Sequence, residues 1–414
     1  MPRFTKPRGT LDIYDNEAIL LKKVIDVASK VALRYNYIPL YIPTFESTAL
    51  YARGAGETSD IVTKEMYTFK DKGDREITLR PEGTAGVIRA VIENKLYATG
   101  DLPLKYYYSG SFFRYERPQV GRTREFMQFG IEAIGTNSYL DDVEAILLFV
   151  DIIKELGVSD YVVRVNTFGN EQGRNKHRDN IKSFFASHID NLCEDCKERF
   201  NKNPLRILDC KVDKEYISKL QVPVSLDCLD EDSKDIFDKT LKILSDNNVK
   251  YEVDKYLVRG LDYYTGIIFE VDVTLDDGKV LTIGGGGRYS SLVKELDGPD
   301  MSCVGFGLGT TRLALYLENK DGIANYKNNL DYYVMPFSDA SYDVAYKIAT
   351  KLRNQGYTVV VENSKKSIGS MFKYASKKEF KYAIMIGDDE LKENKVKIKN
   401  LETQEQYYKD IESL

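Results

Sequence analysis

Phe112-Phe-Arg-Tyr-Glu-Arg-Pro-Gln-Val-Gly-Arg-Thr-Arg-Glu-Phe-Met-Gln-Phe-Gly-Ile-Glu132 says more about the fold of this chain than any other segment. Four arginines, Arg114, Arg117, Arg122 and Arg124, fall within eleven positions around a Pro-Gln-Val-Gly turn. Leu104-Lys-Tyr-Tyr-Tyr before them and Phe126 through Glu132 after them read as strands, so the segment predicts a hairpin with a cationic loop. Gln128 and Glu132 are four apart and point to one face of their strand. Arginine forks bind phosphate bidentately without needing a proton. The pairing points to a nucleotide site beside a carboxylate-bearing pocket for a small molecule. A surface hairpin with solvated charges is the alternative that this segment alone leaves open.

At 414 residues the chain exceeds one ordinary core, and two or three domains are expected. Its 43% hydrophobic and 30% charged residues are those of a soluble globular protein. No apolar run approaches a membrane span, and Met-Pro-Arg-Phe-Thr-Lys-Pro-Arg carries no signal-peptide core, so a cytoplasmic protein without a membrane partner is expected. Five cysteines, an odd count, point to a reducing compartment and free thiols. A net charge of −5 argues against a protein basic throughout, yet RNA binding depends on local patches. Lys365, Lys366, Lys373, Lys377, Lys378 and Lys381, against a lone Glu379, form one such patch or else the solvated face of a helix. The only histidines, His177 and His188, sit in a polar helical stretch away from the glycine-rich segments, which argues against a histidine base or triad. No His-Glu-x-x-His and no Walker lysine loop occurs, so catalysis would rest on positioning and charge stabilisation.

Residues 16–36 predict a helix with Leu21, Val24, Ala28, Val31 and Ala32 as its apolar stripe. Tyr37-Ile-Pro-Leu-Tyr-Ile-Pro-Thr-Phe-Glu follows as a strand broken by Pro39 and Pro43, suited to an edge or an interface. Thr78-Leu-Arg-Pro-Glu-Gly-Thr-Ala predicts a turn at 81–83 leading into a helix, and 142–156 another helix. From about 172 to 250 the texture is polar and helical. Strand character returns at Lys255-Tyr-Leu-Val-Arg-Gly-Leu-Asp-Tyr-Tyr-Thr-Gly, Leu281-Thr-Ile-Gly-Gly-Gly-Gly-Arg-Tyr and Val304-Gly-Phe-Gly-Leu-Gly-Thr-Thr-Arg, so the middle reads as an insertion in a mostly antiparallel domain. Past Asn329, strands and helices alternate as in a compact α/β domain with a parallel sheet.

The arginine hairpin, Arg-Pro-Glu-Gly-Thr-Ala, Leu-Val-Arg-Gly-Leu-Asp-Tyr-Tyr-Thr-Gly and the glycine-rich strand–helix ending at Arg312 together resemble the histidyl-tRNA synthetases, class II aminoacyl-tRNA synthetases. The resemblance runs from about residue 5 to about 410, with Pro43 in motif 1, 113–132 in motif 2 and 305–312 in motif 3. Residues 257–266 match a block that marks the histidine-specific family. The resemblance implies an α+β catalytic domain, an antiparallel sheet with helices over 1–325, carrying a helical insertion at about 172–252. An α/β anticodon-binding domain over 329–414 completes it. It implies activation of L-histidine by ATP with Mg2+, transfer to the tRNA for histidine, and a homodimer. Carried over by position, Glu82, Thr84 and Gln128 would hold the α-amino group. Glu132 and Tyr264 would grip the imidazole, with Tyr263 lining that pocket. Arg114 would bind the α-phosphate, Arg259 would stabilise the developing charge, and Arg312 would bind ATP. Arg117, Gln119, Arg122 and Arg124 would meet the tRNA acceptor end. The competing resemblance is to the non-catalytic, histidine-binding regulatory subunit of ATP phosphoribosyltransferase, against which the 257–266 block and the C-terminal domain weigh.

Two features stand apart. Thr311 replaces the glutamate usual before the motif 3 arginine. Cys193, Cys196, Cys210 and Cys228 can be drawn either as a four-thiolate zinc site or as ordinary intracellular thiols, and no metal is assigned.

Overall fold

The computed structural model describes the chain apart from residues 1–3, 55, 57, 58, 60, 120 and 365. Val120 of the hairpin turn and Lys365 of the lysine patch therefore lie outside the described residues. The chain divides into two units, Met1–Tyr326 and Lys327–Leu414.

In the first unit, α1 (Asp15–Arg34) buries Leu20, Val24, Ala28, Val31 and Ala32. Leu20 takes the place expected of Leu21, because the stripe continues from Val24 at four-residue spacing. β1 (Ile38–Pro39) is short and pairs in parallel with Tyr106 and Tyr107 at the sheet edge. Pro39 has no N–H to extend a ladder, which confines it to such an edge. β2 (Phe45–Ser47), α2 (Thr48–Gly54), β3 (Tyr67–Lys70) and β4 (Glu76–Leu79) follow, the strands making a three-stranded sheet in the order β2-β4-β3. Next come α3 (Thr84–Glu93), β5 (Leu104–Phe113), β6 (Glu125–Ile134), α4 (Tyr139–Glu155) and β7 (Tyr161–Thr167). The predicted insertion range holds α5 (Glu171–Phe185), α6 (Glu194–Lys202), α7 (Lys214–Ile217) and α8 (Glu231–Asp246). β8 (Tyr251–Val253), β9 (Tyr264–Thr274), β10 (Val280–Tyr289), α9 (Leu292–Glu295), β11 (Cys303–Gly309) and α10 (Thr310–Asp321) close the unit.

Eight strands form its main sheet in the order β1-β5-β6-β11-β10-β9-β7-β8. All neighbours are antiparallel except the β1–β5 and β7–β8 pairs. One face is apolar: Phe129, Ile131 and Ala133 of β6, Val304, Phe306 and Leu308 of β11 and Phe269, Val271 and Val273 of β9 pack with residues of α1, α4 and α10. Since strand side chains alternate, Gln128, Gly130 and Glu132 are turned to the opposite face. That alternation makes one side core and the other a site. α8 sends Phe237 and Leu244 into the same core, whereas α5 and α6 pack Ile181, Phe185 and Cys196 in a second cluster with Tyr263, Tyr264 and Tyr289.

The second unit holds β12 (Tyr332–Pro336), α11 (Tyr342–Asn354), β13 (Val359–Val361), α12 (Ile368–Lys377), β14 (Tyr382–Ile386), α13 (Asp388–Lys392), β15 (Lys395–Asn400) and β16 (Gln406–Asp410). Strands β13, β12 and β14 are parallel as expected, but β15 and β16 add antiparallel, so the five-stranded sheet is mixed. The short β14–β15 connection through α13 is too brief for a crossover, which forces the reversal. Among the described residues no helix is long and apolar enough to cross a membrane.

Candidate active site

The polar face of β5, β6 and β11, the N-terminus of α3 and the 259–264 loop line an open cleft whose empty space, counted out into solvent, is ≈ 420 Å³. Its lining includes Glu82, Thr84, Arg114, Gln128, Glu132, Arg259, Tyr263 and Tyr264. The fold thus brings together eight residues chosen from sequence, drawn from three separated segments. Arg312 and the hairpin residues Arg117, Gln119, Arg122 and Arg124 are not in that lining.

Glu132 lies at the buried end. Its Oε1 accepts from Thr84 Oγ1 at 2.7 Å and Tyr108 Oη at 3.3 Å, and its Oε2 accepts from Tyr289 Oη at 2.6 Å. Burial pushes this carboxyl up to about 8, with the Glu82 charge adding to it, against the stabilising bonds from Tyr289, Thr84 and Tyr108. In the ionised form, which a ligand's N–H donor would favour over the protonated one, the carboxylate offers about four lone-pair sites, and three are used here. One remains for a ligand donor. Glu82 sits ahead of α3, where it accepts from the backbone N–H groups of Thr84 at 2.6 Å and Ala85 at 3.0 Å. Burial raises its pKa, opposed by those two N–H groups and by Arg114. Gln128 is oriented with a buried Oε1 that has no partner among the described residues.

Space for these groups comes from β11. Gly305 pairs with Glu132, and Gly309 with Gln128, in the ladder. A Cβ at 305 would overlap Glu132 Oε2, and one at 307 would overlap Gln128 Nε2. The motif 3 glycines are thus required by close approach and not only by turn geometry.

At the other end the cleft is cationic. Arg114 donates through Nε to Pro81 O at 2.8 Å and lies over the Phe126 ring at 5.3 Å. Arg259, its side chain 19% exposed, pairs with Glu270 at 2.5 Å through Nη1. Glu270 also holds Arg164 at 2.5 Å, so this carboxylate is fixed from both sides. Arg259 Nε is buried with no partner among the described residues. Arg312 donates to Gly121 O at 2.9 Å and to Thr282 O at 3.0 Å, tying α10 to the hairpin and to β10. Burial lowers its pKa, and the like charges of Arg122 and Arg114 lower it further, against the opposing charges of Glu116 and Glu270.

In the hairpin itself Gln119 and Arg122 close the turn through backbone bonds of 3.1 and 2.8 Å. Arg122 pairs with Glu116 at 3.2 Å, and Arg124 lies 3.7 Å from the Tyr115 ring centroid. Arg117 and Gln119 are exposed. Thr311 accepts from the Met127 N–H at 2.9 Å, so it anchors the start of α10 beside Gln128. Sequence reasoning missed Tyr108 and Tyr289, both bonded to Glu132. The available signal was strand register: Tyr108 pairs with Gly130, whose Cβ position its ring occupies.

His177 is buried outside the cleft, pushed down to about 4 by burial, and His188 bonds Tyr216 at 2.9 Å. The four-cysteine set does not assemble. Cys228 instead lies against Asn180 and Val224, because the 225–228 turn follows a separate loop.

A family model described as histidyl-tRNA synthetase matches residues 9–313, and one described as an anticodon binding domain matches 331–414. A histidine–tRNA ligase of Thermosipho melanesiensis is 43% identical over 408 residues, covering 97% of this chain and 95% of the relative. One of Bacillus cytotoxicus is 41% identical over 401 residues, with 97% and 95% covered. The crystal structure of apo S. aureus histidyl-tRNA synthetase superposes with a TM-score of 0.83 at 34% identity, covering 99% of this chain and 98% of that one.

Proposed function

The chain belongs to the histidyl-tRNA synthetase family and is a histidine–tRNA ligase, and we propose how its residues divide the work. The regulatory-subunit alternative is not favoured by these relatives. One observation carries the reading: a single cleft has carboxylates and tyrosines at one end and arginines at the other.

Histidine's ammonium has three donors, which match Glu82, Thr84 Oγ1 and the unpartnered Gln128 Oε1. Its neutral imidazole has one donor and one acceptor. Glu132 takes the donor on its remaining lone pair, and the Tyr264 hydroxyl serves the other nitrogen, with Tyr263 lining the pocket. An apolar amino acid would leave these buried groups unpaired, a discrimination of roughly 10⁴–10⁵-fold. The substrate carboxylate is already ionised, so attack on the α-phosphorus needs no base. A carboxylate oxygen–phosphorus bond forms and pyrophosphate leaves. Arg114 holds the α-phosphate, Arg259 meets the charge that builds on it, and Arg312 holds ATP from the α10 side. Magnesium accompanying ATP would neutralise phosphate charge, and Glu116 and Glu270, which both act electrostatically on Arg312, are the carboxylates that would assist in holding it.

Residues 1–325 perform the activation and 329–414 read the anticodon. Arg117 and Gln119 meet the acceptor end directly, while Arg122 and Arg124 hold the hairpin that presents them. Lys373 and Lys377 of α12 and Lys378 at its C-cap are exposed for RNA phosphates, whereas Lys366 and Lys381 pair with Glu362 and Asp331. The functional state is a cytoplasmic homodimer, supported by exposed Ile38, Tyr41 and Phe45 around Pro43. The test is ATP–pyrophosphate exchange with each standard amino acid, with magnesium and without tRNA. Histidine alone should exchange. Glu132→Gln should lose histidine binding while Arg259→Ala keeps it and loses turnover, and the reverse pattern would overturn the division of roles.

A further inference from the structure

Outside the cleft, among the described residues, one group has ligand atoms close enough to share an ion: Cys193, Cys196, Cys210 and Asp213, all within 4.8 Å of one another. We propose that these four side chains bind a structural zinc ion, as three thiolates and one carboxylate, and that the ion holds the segment bracing the 259–262 loop.

Two of the ligand–ligand distances match the edges of a tetrahedron, and the rest lie within 4.8 Å. With Zn–S of about 2.3 Å and Zn–O of about 2.0 Å, two sulfurs on a tetrahedral ion stand about 3.8 Å apart, and sulfur and oxygen about 3.5 Å. Cys193 Sγ and Cys210 Sγ are 3.7 Å apart, and Cys210 Sγ and Asp213 Oδ2 are 3.6 Å apart. The burial also suits a cation. Asp213 is 7% exposed, Cys210 5% and Cys196 0%, and among the described residues the Asp213 carboxylate is met by the Cys193 N–H and by no lysine or arginine. Buried charges are paired or coordinate metals.

The backbone supports the same four atoms. Cys193 is the N-cap residue of α6 and Cys196 lies in its first turn, so the helix start sets the two sulfurs side by side. The Cys193 N–H donates to both Asp213 oxygens, at 3.2 and 3.0 Å, and the Asp213 N–H donates to Cys210 Sγ at 3.3 Å. Such outer bonds orient metal ligands.

The consequence reaches the cleft through the 3₁₀ segment Pro204–Asp209, which lies between the two pairs of ligands. Just before it, Asn203 Nδ2 donates to Asp262 Oδ1 at 2.5 Å, and within it Arg206 Nη1 donates to Gly260 O at 2.7 Å. These bonds prop the loop that carries Arg259. The ion would act on positioning and touch no substrate.

The experiment is metal analysis of the full-length protein, purified under reducing conditions without chelator. About one zinc per chain is expected. After removal of the ion, Co2+ should restore one equivalent with the thiolate charge-transfer and d–d bands of a tetrahedral site. Cys210→Ser and Asp213→Asn should lose the ion, while Cys228→Ser keeps it. The wild-type measurements decide the matter even where a variant fails to fold. A folded, reduced chain that takes up neither Zn2+ nor Co2+ overturns the proposal. So does an ion retained by Cys210→Ser, which would be adventitious, or one lost in Cys228→Ser.

Discussion

Replacing Gly307 by alanine isolates the ammonium grip. The three nearest atoms to a Cβ at 307 all belong to Gln128: Nε2, which it would overlap, Cδ at 3.1 Å and Cγ at 3.8 Å. The backbone there is not left-handed, so alanine brings no φ strain, and only the end of a flexible side chain has to move. The Gly307→Ala variant should therefore fold and push the Gln128 amide out of the cleft. What would be lost is the proposed hydrogen bond from the substrate ammonium to Gln128 Oε1, which otherwise has no partner among the described residues. Such a bond contributes about 1.5–3 kcal/mol. At about 1.36 kcal/mol per decade that is roughly a 10- to 150-fold rise in KM for histidine, with KM for ATP unchanged. Gln128→Ala removes the same contact, so Gly307→Ala combined with Gln128→Ala should be no worse than the poorer single variant. Pyrophosphate exchange at varied histidine and ATP measures all four proteins. An unchanged histidine KM in Gly307→Ala, or losses that multiply in the double variant, would refute the reasoning.

Arg259→Ala should fold, because Glu270 keeps Arg164, and should bind histidine by calorimetry. It should lose about 10²–10³-fold in exchange turnover, the typical effect of removing one preorganised donor, and near-normal turnover would count against its role. The Glu132 carboxyl is raised from 4.5 to about 8 by burial, so between those values the folded form holds a proton that the unfolded form has released. Its contribution to stability is therefore present below about pH 4.5 and falls as pH rises towards 8. Glu132→Gln should raise the thermal midpoint, by a margin that grows from pH 5 to pH 8, while abolishing histidine exchange; a margin that is flat with pH would exclude this titration. Tyr41→Glu, placed on the exposed surface near Pro43, should shift the species seen by light scattering towards monomer, and an unchanged dimer would move the interface elsewhere.

The cleft residues on β6 were legible because a strand has a fixed period of two: once Phe129 and Ile131 are apolar, Gln128 and Glu132 must share the other face. The blocks at 82–84 and 259–264 carried their own motif. Tyr108 was not legible, since nothing in Tyr106-Tyr107-Tyr108 marks the ring that will find Gly130 opposite it. Nor was the engagement of Arg122 and Arg124 with Glu116 and Tyr115, which depends on how the hairpin turn closes. Thr311 read as a missing acid, and its bond to the Met127 N–H exists only once α10 lies beside β6.

Family, two-part fold and cleft chemistry are all written in the order of the residues, because they rest on local period and on motifs whose residue types are demanded by the reaction. It took the folded arrangement to set which partners share Glu132, and to stand Asp213 beside three cysteines where Cys228 was one candidate. Those groupings arise where separate turns are brought together by a common core, and the spacing of residues along a chain does not encode the path of its loops.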